Sequence, residues 1–361
     1  MGRIKGGFGV GSTINACTKG IWVWNQPMKV NSNTREEFDV LVMDSEGIGA
    51  MDEDQNHDTR IFLLATLLSS LLIYNSVGTI DEGALQNISL IVNMSKQLQV
   101  RSQGGKECDP EELKSYFPSF LWVLRDFALR LEDSHGNPIS PKQYLENSLC
   151  PQKGTSDNVE LKNRIRRVIT SVFNERDCFP LIRPLEDEKS IQTLQEVPDT
   201  KLRPEFVDQM KLLKQKVCKK VKPKKINSNF ITGEMLLELC NAYTNAFNSG
   251  VIPCIENAWN YMCKSQCQKI MDDVLNDYEM KINKYAEECK YDPEKIKAMN
   301  KELKVSLMAN FKEQSIGDTV EEYEGVLKQK LIEKYEEIKK MSVNKITVSM
   351  LDNYRLNMKI N

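Results

Sequence analysis

The sequence has no apolar run long enough to cross a membrane. The longest run, residues 61–74, is interrupted by Ser69 and Ser70 and is shorter than the roughly 20 residues that a membrane-spanning helix needs. We interpret it as a buried helix that leads into a strand. The ten irregularly spaced cysteines are not preceded by a secretory leader. This predicts free thiols in a reducing compartment, and therefore a cytoplasmic location.

Histidine is nearly absent, and neither charge sign dominates. His57 and His135 are the only histidines, so the pair Cys263-x3-Cys267 lacks the further ligands that a zinc site needs. The formal net charge is −2 and the isoelectric point is near 6.0. Nucleic-acid-binding domains usually have an isoelectric point above ~9, so we expect no nucleic-acid partner.

Basic residues are concentrated in one segment, from Lys211 to Lys225, which holds eight lysines and no acidic residue. We interpret this basic segment as a solvated helix face or a linker. A patch for an anionic membrane or an acidic partner is the alternative.

The first half of the chain alternates short apolar runs with longer helical patterns. Residues 38–44 are nearly all apolar, as expected for a strand that is buried on both faces. Further strands are predicted at residues 20–25, 71–75, 119–125 and 178–183, and helices at residues 58–68 and 82–98. This alternation predicts an α/β fold with a mostly parallel sheet and flanking helices. Ligands of such sheets bind at the carboxyl ends of the strands.

The second half changes to Lys- and Glu-rich segments with an apolar period of 3.6 residues. Helices are predicted at residues 235–247, from Pro253 onward, and at residues 321–341. The pattern predicts an all-helical second domain. We place the boundary so that residues 1–228 form the α/β domain and residues 229–361 form the helical domain.

A polar segment, Asp44-Ser45-Glu46-Gly47, directly follows the predicted strand at residues 38–44. Many nucleotide hydrolases handle the terminal phosphate with Asp-x-x-Gly after a strand. The carboxylate holds the magnesium shell, usually through water, and the glycine lets a backbone N–H approach the phosphate. A simple turn after a strand is the alternative.

A second polar pair, Arg125-Asp126, ends the predicted strand at residues 119–125. An aspartate there can accept two hydrogen bonds from N1 and N2 of guanine, which adenine cannot supply, and unpaired polar groups make the wrong base costly. An Arg–Asp pair that caps a strand is the alternative. Thr18 precedes another predicted strand and can offer its hydroxyl to magnesium, or else cap a turn.

Together and in this order, these segments resemble the guanylate-binding proteins and their atlastin relatives, within the dynamin-like large GTPases. The resemblance runs from about Gly7 to at least Trp259. Residues 11–22, around Thr18, look like the family's switch I, and residues 44–49 look like its third GTPase motif. Further similar segments are residues 74–80, the guanine motif at 124–127, the base cap around 178–184 and the start of a helical middle domain at 253–258.

The resemblance implies a phosphate and metal site. Thr18 would bind Mg²⁺ and Asp44 would hold it through water. Gly47 would contact the γ-phosphate through its backbone, and Glu46 would help to order the attacking water, so that Glu46 and Thr18 would be the catalytic residues.

The resemblance also implies a base site and partners. Asp126 would read guanine, with Arg125 beside the base and Arg183 in the cap. GTP and GDP would be the ligands, a second copy would bind through the G domain, and some family members hydrolyse GTP in two steps to GMP. Peripheral association with intracellular membranes is also compatible with the family.

The family's phosphate-binding loop is missing from this sequence. No Gly-x-x-x-x-Gly-Lys-[Ser/Thr] pattern occurs, and the segment that resembles switch I begins within a dozen residues of Met1. The loop would supply a cradle of N–H groups, a lysine and a magnesium-binding hydroxyl. In the family it also supplies the catalytic arginine. We therefore expect an amino-terminally truncated G domain, without the strand and helix that flank this loop.

Two functions remain open. The first is a large GTPase that binds and hydrolyses GTP and dimerises through its G domain, as Asp44, Gly47, Arg125 and Asp126 favour. The second is a pseudo-GTPase or fragment without the loop, which acts as a non-catalytic interaction protein.

Overall fold

The computed structural model of the chain describes residues 8, 18–31, 37–47, 55–88, 116–194, 196–251 and 253–358. The chain divides into two units, of which the first ends at Glu256 and the second begins at Asn257. The first unit contains, in order, β1 (Ile21–Val23), β2 (Met28–Asn31), β3 (Glu37–Val40), β4 (Met43–Ser45), α1 (Gln55–Leu68), β5 (Leu71–Val77), α2 (Glu82–Asn87), β6 (Ser119–Arg125), α3 (Pro141–Ser148), α4 (Asp157–Val172), β7 (Arg176–Pro180), α5 (Glu188–Gln192), a 3₁₀ turn (Asp199–Lys201), α6 (Pro204–Lys220), β8 (Lys225–Ile226), β9 (Asn229–Phe230) and α7 (Gly233–Asn248). The helix α8 (Ile255–Glu288) crosses the boundary, and α9 (Pro293–Gln314) and α10 (Val320–Met358) follow it.

A three-stranded parallel sheet, in the order β5-β6-β7, forms the centre of the first unit. The central strand β6 carries five consecutive buried apolar residues, Phe120 to Leu124. Helices cover both of its faces. Leu121 and Val123 pack with Leu213 of α6, whereas the ring of Phe120 stacks on Phe173 at the end of α4 with 4.6 Å between the ring centroids. The predicted α/β fold with flanking helices is confirmed.

The prediction of one buried strand at residues 38–44 is wrong. The run is broken at Leu41 and Val42 into two strands, β3 and β4, which pair antiparallel with β2 and β1, respectively. None of residues 37–45 is buried. A strand in a parallel sheet is covered by crossover helices, whereas a strand in a two-stranded ribbon has a neighbour on one edge only.

The basic segment is mainly a helix face, because α6 extends through Lys220. Two of its lysines, Lys216 and Lys220, form salt bridges with the buried carboxylate of Asp177 in β7, at 2.9 and 3.0 Å. Part of the positive charge of this segment therefore anchors α6 to the sheet.

The second unit is all-helical within its described residues, as the sequence predicts. Its core follows a stripe on α8 with a spacing of three or four residues. The buried residues of the stripe and of the facing helices are Cys267, Met271, Val274, Tyr278, Ile282, Ala286, Ile296, Leu307, Phe311, Leu327, Leu331 and Ile338. The Tyr278 hydroxyl donates to Asn300 Oδ1 at 2.7 Å, which satisfies both buried polar groups and ties α8 to α9.

Buried thiols occur in both units. Cys178 lies in β7 with no exposed surface, and burial raises its pKa to about 12. Cys263 of α8 is buried under the α9–α10 turn, and burial likewise raises its pKa to about 12. Within the described ranges, no helix has both the length and the apolar character that crossing a membrane requires.

Candidate functional site

Thr18 and Asp44 are brought together by the antiparallel pairing of β1 and β4. Trp22 lies opposite Asp44 in this pairing. The Glu46 N–H donates to the Gly20 carbonyl at 2.9 Å, which continues the pairing beyond the two strands. As a result, the Thr18 hydroxyl donates to Asp44 Oδ2 at 2.7 Å.

These two side chains fit part of a magnesium shell. Mg²⁺ takes oxygen ligands, and in nucleotide sites it is usually held by one or two protein groups together with phosphate oxygens and water. Thr18 and Asp44 supply one hydroxyl and one carboxylate that already lie in contact. They would therefore hold the ion, with the other ligands coming from a nucleotide and solvent.

Glu46 is buried, with only 5% of its surface exposed. Its Oε2 accepts a hydrogen bond from the Gly20 N–H at 2.9 Å and lies 3.3 Å from His57 Nε2. The Gly20 hydrogen bond lowers the pKa of Glu46 below its ordinary value, against the effect of burial, and the His57 contact lowers it further. The other carboxylate oxygen, Oε1, is buried and has no hydrogen-bond partner in the part of the chain that the structure describes. A buried charged oxygen without a partner is costly, so this atom suits a bound water molecule.

Gly47 follows Glu46 and is exposed. Apart from Gly47 itself and its two chain neighbours, no atom of the described residues lies within 4 Å of the position that a Cβ would occupy here. Packing within the described chain therefore does not require glycine at this position, and contact with a phosphate remains a prediction.

Asp126 and Arg183 line one cavity, beyond the carboxyl ends of β6 and β7. The cavity has a volume of about 710 Å³, which lies in the usual range for small-molecule sites. Asp126 adopts a positive φ of 55°, which aspartate tolerates better than most residues. The Phe127 N–H donates to the Leu181 carbonyl at 2.9 Å, so the segments after the two strands are joined. The lining residues are Asp126, Phe127, Ala128, Leu129, Leu131, Pro180, Ile182, Arg183, Arg203 and Gln209.

Arg125 does not belong to this lining. It is exposed at the end of β6, and its carbonyl accepts a hydrogen bond from the Gly78 N–H at 2.8 Å. Arg203 and Gln209 line the cavity although sequence reasoning did not single them out. Gln209 Oε1 accepts from the Ile182 N–H at 2.9 Å, which fixes its amide beside the segment that carries Arg183.

Comparison with known proteins establishes the family. Residues 1–226 match the model of the guanylate-binding protein N-terminal domain, and residues 227–347 match that of the C-terminal domain. The chain belongs to the guanylate-binding protein family. The predicted family is therefore confirmed. The two family models meet near residue 226, whereas the structural units divide after Glu256, and the predicted boundary at residue 228 stays a prediction.

The chain shares about a third of its aligned residues with individual members of the family. The chain is 35% identical to guanylate-binding protein 3 of Mus musculus over 265 aligned residues, and the aligned region covers 72% of this chain and 42% of that protein. The chain is 34% identical to guanylate-binding protein 1 of Homo sapiens over 285 aligned residues, and the aligned region covers 77% of this chain and 47% of that protein. The chain thus spans less than half the length of these relatives.

Proposed function

We propose that this chain binds guanine nucleotide, with the base in the cavity after β6 and β7, and that the protein is a GTP-hydrolysing large GTPase. The observation that carries the proposal is the position of Asp126 and Arg183 in one cavity of suitable size. The carboxyl end of a parallel sheet is where ligands of α/β proteins bind. Asp126 would accept from N1 and N2 of guanine, and Arg183 would cover the base. Arg125 lies outside the lining, so the proposal gives it no contact with the base.

The phosphate end of the nucleotide is assigned to the residues around β1 and β4. A bound Mg²⁺ would neutralise charge on the phosphates. Thr18 and Asp44 would hold this ion, and the Gly47 N–H would approach the γ-phosphate. Glu46 Oε1 would accept a hydrogen bond from a water molecule and hold it for attack.

Assembly and location are also part of the proposal. We expect a homodimer through the G domain when GTP is bound, in the cytoplasm or at the periphery of intracellular membranes. Light scattering during gel filtration, with and without a non-hydrolysable GTP analogue, measures the first point. A mass that is the same under both conditions would contradict nucleotide-dependent dimerisation.

The first experiment is equilibrium binding of a fluorescent non-hydrolysable GTP analogue to this chain. We expect micromolar binding that GDP competes away and ATP does not. Asp126→Asn should abolish it because an amide cannot accept both guanine donors, whereas Asp157→Asn, at an exposed position in α4, should leave it unchanged.

Phosphate release then separates binding from hydrolysis. Binding with release of phosphate from GTP supports the whole proposal. Binding without release supports a pseudo-GTPase. No binding by a sample that circular dichroism shows to be folded would overturn the proposal for this chain, and would favour a non-catalytic interaction protein.

A further inference from the structure

Arg203 lines the same cavity as Asp126 and Arg183, and the motifs found in the sequence give it no role. It is the residue before Pro204, which keeps its backbone extended, with φ −57° and ψ 129°. Its N–H donates to the Pro184 carbonyl at 3.0 Å, which ties the start of α6 to the segment after β7. The fold therefore fixes the position of the Arg203 backbone beside the cavity.

An arginine is a poor choice for this position if only the helix is considered. Arg203 is the N-cap of α6, where Ser, Thr, Asp and Asn are preferred, and its side chain makes no capping hydrogen bond. A cation is also disfavoured at the positive end of the helix dipole. The ion pair that it makes in the described structure, 3.9 Å from Nε to Glu205 Oε2, is largely exposed and weak. Departures from local preference of this kind are common at functional sites.

The chemistry of the cavity is complementary to the two edges of guanine. Guanine presents hydrogen-bond donors at N1 and N2, and acceptors at O6 and N7. An ionised aspartate only accepts hydrogen bonds, and an arginine only donates them. Arginine bound to O6 and N7 is also the commonest specific contact to guanine in base-edge recognition.

We propose that Arg203 donates to O6 and N7 of guanine while Asp126 accepts from N1 and N2, so that the cavity reads both edges of the base. This inference rests on the proposed nucleotide function. Adenine would place an amino group against the Arg203 guanidinium, and it cannot supply the N1 and N2 donors that Asp126 accepts from. Both side chains would therefore disfavour adenine.

A double-mutant cycle between the protein and the base tests the inference. Binding of GDP and of 7-deaza-GDP, which lacks the N7 acceptor, is measured by competition for wild type and Arg203→Ala. We expect wild type to bind GDP about tenfold more tightly than 7-deaza-GDP, the scale of a charged hydrogen bond. Arg203→Ala should bind the two equally, and Arg203→Lys should recover only part of the preference because lysine cannot bind both atoms in one plane.

Two matched controls accompany the cycle. Arg130→Ala removes an exposed arginine from the loop after β6 that does not line the cavity, and should keep the preference for GDP. Thermal unfolding of Arg203→Ala shows whether α6 is still intact.

Three outcomes overturn the inference. Arg203→Ala with unchanged GDP affinity excludes the contact, and an equal loss for GDP and 7-deaza-GDP assigns Arg203 to general charge or to the fold. If the preference for GDP over 7-deaza-GDP is lost in Arg183→Ala but kept in Arg203→Ala, then Arg183 contacts the O6 and N7 edge of guanine. A wild type that binds no guanine nucleotide refutes the proposed function itself, before any variant is compared.

Discussion

At the residue scale, Glu46 combines a structural contact with the proposed catalytic one. One oxygen holds the turn at Gly20, whose φ of 70° lies in the left-handed region, and also contacts His57. The other oxygen is buried without a partner in the described chain. Because the first oxygen fixes the orientation of the carboxylate, the second one is presented in a defined direction.

Glu46→Gln should lower the free energy of unfolding by about 1–2 kcal/mol at pH 7, since glutamine keeps the shape but not the charge that Gly20 N–H and His57 contact. The folded-state pKa of Glu46 is below its usual value. Its stabilising contribution is therefore complete above the unfolded pKa of about 4.3, and is lost as the pH falls through the folded pKa. Urea unfolding at pH 7 and pH 3.5 measures both effects, and the difference between wild type and Glu46→Gln should be smaller at the lower pH.

The control for this substitution is Glu160→Gln, which changes an exposed glutamate of α4 and should have almost no effect. A difference between wild type and Glu46→Gln that is the same at both pH values would contradict the assignment of the lowered pKa to the charge of Glu46.

Some of these residues were recognisable in the sequence and others were not. Asp44 and Asp126 follow apolar runs, which is a local pattern. The contact of Glu46 with His57 and the entry of Arg203 into the cavity of Asp126 depend on how distant segments meet. A single sequence gives no signal for such contacts, except that Arg203 breaks the usual preference for a helix start.

At the scale of elements, the turn between α9 and α10 depends on one glycine. Gly317 has a φ of 90°, and a Cβ at this position would lie 2.6 Å from Cys263 Sγ and 2.9 Å from Cys263 Cβ. The turn therefore packs directly on α8, and both the backbone conformation and the space require glycine.

Gly317→Ala should destabilise the protein by about 2–4 kcal/mol, because it combines a strained φ with overpacking against a buried helix. Gly325→Ala, in an exposed part of α10 with no atom near the new methyl group, should instead stabilise by about 0.5–1 kcal/mol. Thermal unfolding of both variants is the measurement. Equal effects of the two substitutions would show that the turn can move away from α8.

Periodicity predicted the strands of the parallel sheet and several helices, but neither every element nor how all the strands pair. The strands at β5, β6 and β7 and the helices α7, α8 and α10 lie where the sequence places them. The error at residues 38–44 arose because an apolar run identifies extended structure without identifying its neighbour. Here the neighbours are the antiparallel strands β1 and β2.

At the scale of the whole molecule, the two units differ in how many of their described carboxylates have a pKa that is lowered by contacts between distant segments. In the first unit, ion pairs and hydrogen bonds between segments that are distant in the sequence lower the pKa values of four described carboxylates. They are Glu46, Glu82 beside Arg166, Glu175 beside Lys222, and Asp177, where burial raises the pKa but Lys216 and Lys220 outweigh it. In the described part of the second unit, the pKa of the partly buried Glu324 is lowered by Lys328, one turn further along α10, and by Lys312 of α9.

The first unit should therefore lose stability before the second one as the pH falls below ~4, because protonation removes interactions that only its folded state makes. Brief digestion with pepsin at pH 3.5, with cleavage sites read by mass spectrometry, should give the earliest cuts before residue 257. Glu324→Gln should leave this order unchanged. Earliest cuts in α8 to α10 would contradict the prediction.

The buried thiols of Cys178 and Cys263 give each unit its own reporter. Both are protonated at neutral pH, since their pKa values are near 12, and neither is accessible in the closed structure. An alkylating reagent can reach them only after the surrounding sheet or helices open. The alkylation rate at each cysteine, measured peptide by peptide, thus gives a separate opening free energy for the sheet and for the helical unit of the same unmodified chain.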